Sequence, residues 1–114
     1  MEDLSHLFQV LSDINRIRII KMLQVRSLCV CELSAILELA YSTVSKHLSI
    51  LQSAGFIYSE KRGKWSYYRL PQSPDSIYVS SLLAKIKLWL NDDVRILSDK
   101  KRVELNTTDE ICEI

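Results

Sequence analysis

Apolar residues in the first third of the chain recur with the period of a helix. Residues 3–11 carry apolar side chains at positions spaced i, i+3, i+4 and i+7, which predicts a short amphipathic helix. A second apolar series predicts a helix that begins after Ser12 or Asp13 and ends near Gln24. A third series predicts a helix over residues 30–39. The sequence therefore predicts three short helices at the start of the chain.

A fourth helical segment follows the third after a break of only a few residues. Ser42 is a favourable N-cap residue and Gly55 is a favourable residue at a helix end, so we predict a helix over residues 42–54. Its buried stripe is formed by Val44, Leu48 and Leu51. Two helices joined by a short turn are typical of a helix-turn-helix.

The apolar period changes after this fourth helix. Two β-prone runs, 56–61 and 64–70, predict a hairpin around residues 62–63. The Ser-Pro pair at 73–74 predicts the start of a last long helix that continues to about Leu97. The element order predicts a mainly α fold with a β-hairpin wing, which is a winged helix-turn-helix.

Two regions of different composition follow from this pattern. Residues 1–98 are predicted to form the folded domain, and residues 99–114 are predicted to form a polar, acidic C-terminal tail that carries Cys112.

A chain of 114 residues with 47% hydrophobic and 25% charged residues is typical of one soluble globular domain. No segment has the apolar length of a membrane span, and the N-terminus lacks a signal pattern. We therefore expect a cytoplasmic protein without a membrane partner, whose cysteines are thiols.

Charge is distributed unevenly along the chain. The formal net charge is only +1, but residues 41–70 carry five basic residues and one acidic residue, a net charge of +4. This is the distribution that phosphate binding requires.

The outward side of the predicted fourth helix and the hairpin tip supply candidate DNA contacts: Tyr41, Ser42, Thr43, Ser45, Lys46 and Ser49, with Lys61, Arg62 and Lys64. Either element alone is as compatible with an ordinary solvent-exposed surface as with DNA binding, but the two together favour DNA binding. We find no catalytic arrangement and predict that the protein is not an enzyme.

Four segments resemble the ArsR/SmtB family of metal-responsive repressors. They are residues 7–20 (LFQVLSDINRIRII), 42–51 (STVSKHLSIL), 54–57 (AGFI) and 62–70 (RGKWSYYRL), the last of which looks like the wing of that family. The resemblance implies a homodimer that is joined by its first and last helices and binds a twofold-symmetric operator. It also implies that positions contacting DNA correspond here to Tyr41, Ser42, Ser45 and Lys46.

Residues 28–33 (LCVCEL) resemble the arsenite-sensing motif of the arsenic repressors in this family. The thiolates of Cys29 and Cys31 would suit arsenic(III), antimony(III) or another thiophilic ion as the effector, with no organic cofactor. In a regular helix, residues i and i+2 point about 200° apart, so we expect both to reach one ion only where the helix start is unwound or bent. Ser34 replaces a cysteine that these repressors often have, which leaves Cys112 as a candidate third ligand or a bystander.

Three functional hypotheses remain open at this point. The first is a DNA-binding transcriptional repressor that releases its operator on binding arsenite or antimonite. The second keeps the fold but makes it a redox-responsive or persulfide-responsive repressor, with Cys112 bridging to Cys29 or Cys31. The third is a protein-interaction module without DNA binding. A zinc sensor with ligands on the last helix is not expected, because residues 74–97 contain no His or Cys.

Overall fold

The computed structural model describes residues 1–105 and shows a helical domain with a small antiparallel sheet. In chain order its elements are α1 (Glu2–Val10), α2 (Ile14–Leu23), β1 (Leu28–Cys29), α3 (Val30–Leu37), α4 (Tyr41–Ser53), β2 (Tyr58–Arg62), β3 (Trp65–Arg69), α5 (Ile77–Leu88) and α6 (Val94–Leu105). The predicted mainly α fold with a hairpin wing is confirmed, and the arrangement is that of a winged helix-turn-helix. No helix within residues 1–105 is long and apolar enough to cross a membrane.

The first four helices lie close to their predicted positions and differ at their ends. Asp13 is the N-cap of α2, and its carboxylate accepts hydrogen bonds from the backbone N–H groups of Asn15 and Arg16. The prediction that Ser42 caps the fourth helix is wrong, because α4 begins at Tyr41 with Ala40 as its N-cap residue. Ser42 therefore lies in the first turn, where its side chain is exposed.

The sheet has three strands in the order β1-β3-β2, one more than the predicted hairpin. Strand β1 has only two residues, which pair with β3 in the register Leu28↔Tyr68 and Cys29↔Tyr67. The hairpin turn differs from the predicted one, because Arg62 still pairs with Trp65 and the turn residues are 63–64. Glycine suits this turn because residue 63 has a φ of +61°.

The predicted last helix is two helices that meet in a sharp reversal. Helix α5 is capped by Ser76, not by the residue pair at 73–74, and α6 begins after Leu90 has taken a left-handed φ of 64°. The boundary predicted at residues 98–99 falls inside α6. That helix packs on α2 and α3, and Val103 is fully buried in the core.

The core lies between α2, α3 and α4 and the sheet. Its fully buried members include Ile19, Leu33, Val44, Leu51 and Phe56. Because Val44, Leu48 and Leu51 all point inward, as predicted, the opposite side of α4 faces solvent.

Candidate nucleic-acid interface and thiol site

The solvent side of α4 presents the predicted polar residues together. Tyr41, Ser42, Thr43, Lys46 and Ser49 are exposed, and Ser45 is half-buried. Helix α4 packs against α3, which fixes the angle at which this side is displayed. Short hydroxyls and one long cation on a protruding helix can bond base edges and phosphate oxygens in a major groove.

The wing carries the predicted basic residues at its tip. Lys61, Arg62 and Lys64 are exposed. The Arg62 guanidinium lies over the ring of Tyr67, 4.8 Å from the ring centroid, and 3.7 Å from a carboxylate oxygen of Glu60. The strand thus holds one of its tip cations in a fixed orientation, which favours a directed contact with a DNA backbone or minor groove.

Cys29 and Cys31 lie side by side at the start of α3. Their Sγ atoms are 3.5 Å apart. The 200° separation of a regular helix does not arise, because Cys29 precedes the helix with extended backbone angles of φ −91° and ψ 169°. Pairing of Cys29 with Tyr67 in the sheet is compatible with this extended backbone. No distortion of α3 is therefore needed to bring the two sulfurs together.

The spacing of the sulfurs suits a single thiophilic ion. Bonds from zinc to sulfur are about 2.3 Å long, and two such bonds at an angle of about 100° would place the sulfurs about 3.5 Å apart. Within residues 1–105, the structure contains no cluster of three or more His, Cys, Asp or Glu side chains placed to hold a metal. The described part of the chain thus brings two cysteine sulfurs together at one place.

The environment of Cys29 is buried and contains a carboxylate. Burial raises the pKa of the Cys29 thiol above its ordinary value, and the backbone N–H groups of Glu32 and Cys31 partly oppose this effect. Glu32 is fully buried, and its Oε1 accepts a hydrogen bond of 3.1 Å from the Cys29 backbone N–H. Glu32 therefore acts as the reciprocal partner in the capping box that starts α3.

Arg26 neutralises this buried carboxylate. Its Nη2 lies 2.8 Å from Oε2 of Glu32, and its guanidinium also donates to the carbonyl oxygen of Val103 in α6. Neither residue was among the predicted site residues. Glu32 could have been suggested by its position three residues after the N-cap, whereas Arg26 gives no signal in the sequence.

The structure describes Ser34, which replaces a cysteine of the arsenic repressors, but not Cys112, the candidate third ligand. Ser34 donates a hydrogen bond of 2.6 Å to the carbonyl oxygen of Leu39, so its hydroxyl stabilises the turn between α3 and α4. Cys112 lies outside the described residues.

Comparison with known proteins agrees with this geometry. A model of the family described as "Bacterial regulatory protein, arsR family" matches residues 13–59. The chain is 35% identical over 98 residues to the arsenic resistance transcriptional regulator ArsR1 of Pseudomonas putida, which covers 81% of this chain and 75% of that protein. It is 36% identical over 84 residues to the cadmium resistance transcriptional regulatory protein CadC homolog of Staphylococcus aureus, which covers 73% and 66% of the two chains.

A solved structure extends the likeness to three dimensions. Reduced HlyU from Vibrio cholerae matches with a TM-score of 0.64 and 28% identity, over 78% of this chain and 90% of that one. The two curated relatives are transcriptional regulators, in agreement with the prediction that this chain is not an enzyme. With a relative 35% identical over three quarters of its length and a winged helix-turn-helix fold, the chain belongs to the ArsR family of bacterial regulatory proteins.

Proposed function

We propose that the protein is a transcriptional repressor that binds an operator through α4 and the wing and releases it when Cys29 and Cys31 bind arsenite or antimonite. The observation that carries the proposal is the 3.5 Å contact between the two Sγ atoms at the start of α3. Helix α3 is the first helix of the helix-turn-helix and packs directly on α4. The cytoplasm, where bacterial DNA lies, is the compartment in which this function operates.

The chemistry of the ion exchange balances with two thiols alone. Arsenic(III) is present in neutral water as As(OH)₃. Each thiol that forms an As–S bond gives its proton to a departing hydroxide, which leaves as water. Two such exchanges leave arsenic with two sulfur ligands and one hydroxide. Cys112 could replace the last hydroxide, from the same subunit or from a partner.

Dimer formation is part of the proposal and is supported by an exposed apolar surface. Helices α1 and α5, with the residues just after α5, expose six large apolar side chains, namely Phe8, Ile77, Tyr78, Leu88, Trp89 and Leu90. Exposed apolar side chains that gather in a patch mark a protein contact, and we propose that these side chains supply it. Helix α6, the last described helix, packs on α2 and α3 of its own chain, so α5 is the better partner for α1. A twofold dimer would present two α4 helices to successive major grooves of a twofold-symmetric operator.

Operator release in a mobility-shift titration tests the proposal. The DNA is the region upstream of the protein's own gene, and the ion is arsenite, with antimonite and cadmium as comparisons. We expect arsenite to release wild type, and Cys29→Ser and Cys31→Ser to stay bound at the same concentration. Cys112→Ser, measured alongside, reports whether the tail supplies a third thiolate. Operator binding that no thiophilic ion weakens would refute the ion-responsive function, and no binding to any upstream DNA would support the interaction module.

A redox-responsive repressor is the second candidate, and the same contact favours it. In the fully reduced protein, two thiols with their sulfurs this close could be oxidised by a peroxide to a disulfide, with loss of two protons and two electrons to the oxidant. The sulfurs would then approach to about 2.05 Å. The solved relative from Vibrio cholerae is described as reduced HlyU. Release of the operator by peroxide and its reversal by dithiothreitol, with no effect of arsenite, would establish this alternative.

A further inference from the structure

We propose that a cavity between α2 and α6 binds a phosphate group, carried either by inorganic phosphate or by a small phosphate monoester. The cavity contains none of the residues assigned to the thiol pair or to DNA contact, so this site is independent of the proposed function. A ligand there would tie α2 to the reversal between α5 and α6 and to α6 itself.

The cavity has a volume of about 180 Å³ and a positively charged lining. Three of its seven lining residues are apolar, and the others are Lys21, Gln24, Asn91 and Lys100. Two of these side chains are cations and none of the seven is acidic. Since one water molecule occupies about 30 Å³, the cavity has room for a phosphate group with part of its hydration. Lys100 and Leu97 in the lining are exposed, so an ion can enter from solvent.

Lys21 brings a positive charge into this cavity without a negative partner. It is only 5% exposed, and its ammonium donates to the carbonyl oxygens of Ile86 and Trp89 and to Oδ1 of Asn91. All three acceptors are neutral, and neither Lys21 nor Lys100 forms an ion pair within residues 1–105. Burial lowers the pKa of Lys21, and the nearby charge of Lys100 lowers it further. An anion in the cavity would offset both unfavourable effects.

Gln24 and Lys100 would donate the direct hydrogen bonds to the anion, because the three protons of Lys21 are already used. The Nε2 atom of Gln24 is buried and has no acceptor in the part of the chain that the structure describes. A phosphate oxygen would satisfy this donor, whose burial otherwise costs free energy. Asp99, the neighbour of Lys100 in the sequence, binds Arg18 through both of its oxygens. The carboxylate next to the site therefore leaves the charge of Lys100 available to a ligand.

Thermal unfolding of the full chain in a titration with inorganic phosphate tests the site, with ionic strength held constant by NaCl. Ligand that binds the native state raises Tm by mass action, and phosphate at about ten times its Kd should raise Tm by roughly 5 °C. Lys100→Gln should weaken phosphate binding roughly tenfold, since it removes a charged donor. Lys101→Gln removes an exposed charge one position along α6 and is the matched control that should keep the shift. A parallel titration with glycerol 1-phosphate distinguishes free phosphate from a monoester as the ligand.

A further control separates this cavity from the surface proposed to bind DNA, which also attracts phosphate. Lys46→Gln, on α4, should keep the full rise in Tm. Loss of the rise in Lys46→Gln, or equal losses in Lys100→Gln and Lys101→Gln, would overturn the site. The absence of a rise in wild type with both phosphate and glycerol 1-phosphate would overturn it as well. None of these results changes the release of the operator by arsenite, so the two proposals fail separately.

Discussion

Arg26 and Glu32 form an ion pair directly behind the thiol site, with Nη2 of Arg26 2.8 Å from Oε2 of Glu32. The Glu32 side chain is fully buried, whereas one third of the Arg26 side chain is exposed. The second carboxylate oxygen receives the backbone N–H of Cys29, and Arg26 also reaches the carbonyl oxygen of Val103. One carboxylate therefore joins the loop after α2, the start of α3 and, through Arg26, helix α6.

Replacement of Glu32 tests how much this arrangement stabilises the fold. We expect Glu32→Ala to lower the free energy of unfolding by about 2–3 kcal/mol, because a charge-assisted hydrogen bond and the cap of α3 are both lost. Glu32→Gln should lose less, since it retains an acceptor for the Cys29 N–H. Urea unfolding at constant ionic strength measures both variants. Equal losses of the free energy of unfolding in the two variants would assign the whole effect to the ion pair and none to the cap of α3.

The pH dependence of ion binding should differ between cadmium and arsenite. Burial raises the pKa of the Cys29 thiol, so this thiol binds ions from its protonated form at neutral pH. Cadmium must displace thiol protons into solution, and we expect its affinity to rise about tenfold per pH unit for each proton displaced. Arsenite releases water in place of protons, and its affinity should stay nearly constant between about pH 6 and 8. Competition titrations at several pH values measure both slopes. Parallel slopes for the two ions would contradict this exchange chemistry.

The helix-turn-helix and hairpin could be predicted because their signals are local. Apolar spacing places Val44 and Leu51 on one side of α4, and the exposed polar face follows from that. Strand β1 could not be predicted, because two residues are too few for a periodicity and their pairing partner lies in β3. The proximity of the sulfurs depends on the extended backbone of Cys29 at the start of α3, which meets the condition of an unwound helix start that the spacing of the two cysteines imposed.

Lys21 explains why the predicted last helix divides in two. Its buried ammonium donates to the carbonyl oxygens of Ile86 and Trp89 and to Oδ1 of Asn91, at 2.7–2.9 Å. Lys21, on α2, thereby supplies hydrogen-bond donors to the backbone carbonyl groups at the end of α5. The sequence at the end of α5 has neither Gly nor Pro to end the helix. Such a tertiary contact overrides the apolar pattern that continues through Leu88 and Leu90. No local rule reveals it.

Lys21→Met should therefore destabilise the protein although it keeps the length of the side chain. We expect a loss of about 2–3 kcal/mol, because the carbonyl oxygen of Trp89 and Oδ1 of Asn91 lose a charged donor, and the carbonyl oxygen of Ile86 keeps only the Trp89 N–H. Lys101→Met, at an exposed position of α6, is the control and should change stability by no more than about 0.5 kcal/mol. Thermal or urea unfolding compares the two. Similar values for both variants would show that the contacts of Lys21 do not stabilise the reversal.

The exposed apolar surface of α1 and α5 predicts the effect of a charge placed within it. Phe8→Glu should convert the dimer to a monomer without unfolding it, because Phe8 is 55% exposed in the single chain. Ile14→Glu, which changes an exposed apolar residue on α2, is the control and should remain dimeric. Sedimentation equilibrium measures the mass, and circular dichroism reports the fold. A dimeric Phe8→Glu variant would place the interface elsewhere.

Lys46 is the cation of α4, and its replacement should change the salt dependence of DNA binding measurably. Each phosphate contact removed lowers the slope of log K against log[salt] by about 0.9, so Lys46→Ala should lower it by about 1.8 in a dimer. Lys101→Ala removes an exposed cation from α6 and should leave the slope unchanged. Anisotropy titrations with operator DNA at four salt concentrations give both slopes.

If Lys46 contacts a guanine edge instead, its loss costs about 1–3 kcal/mol at one operator position and relaxes the base preference there. An unchanged slope with unchanged base preference would exclude Lys46 from the interface, whereas equal slope changes in both variants would indicate general charge attraction in place of a docked helix.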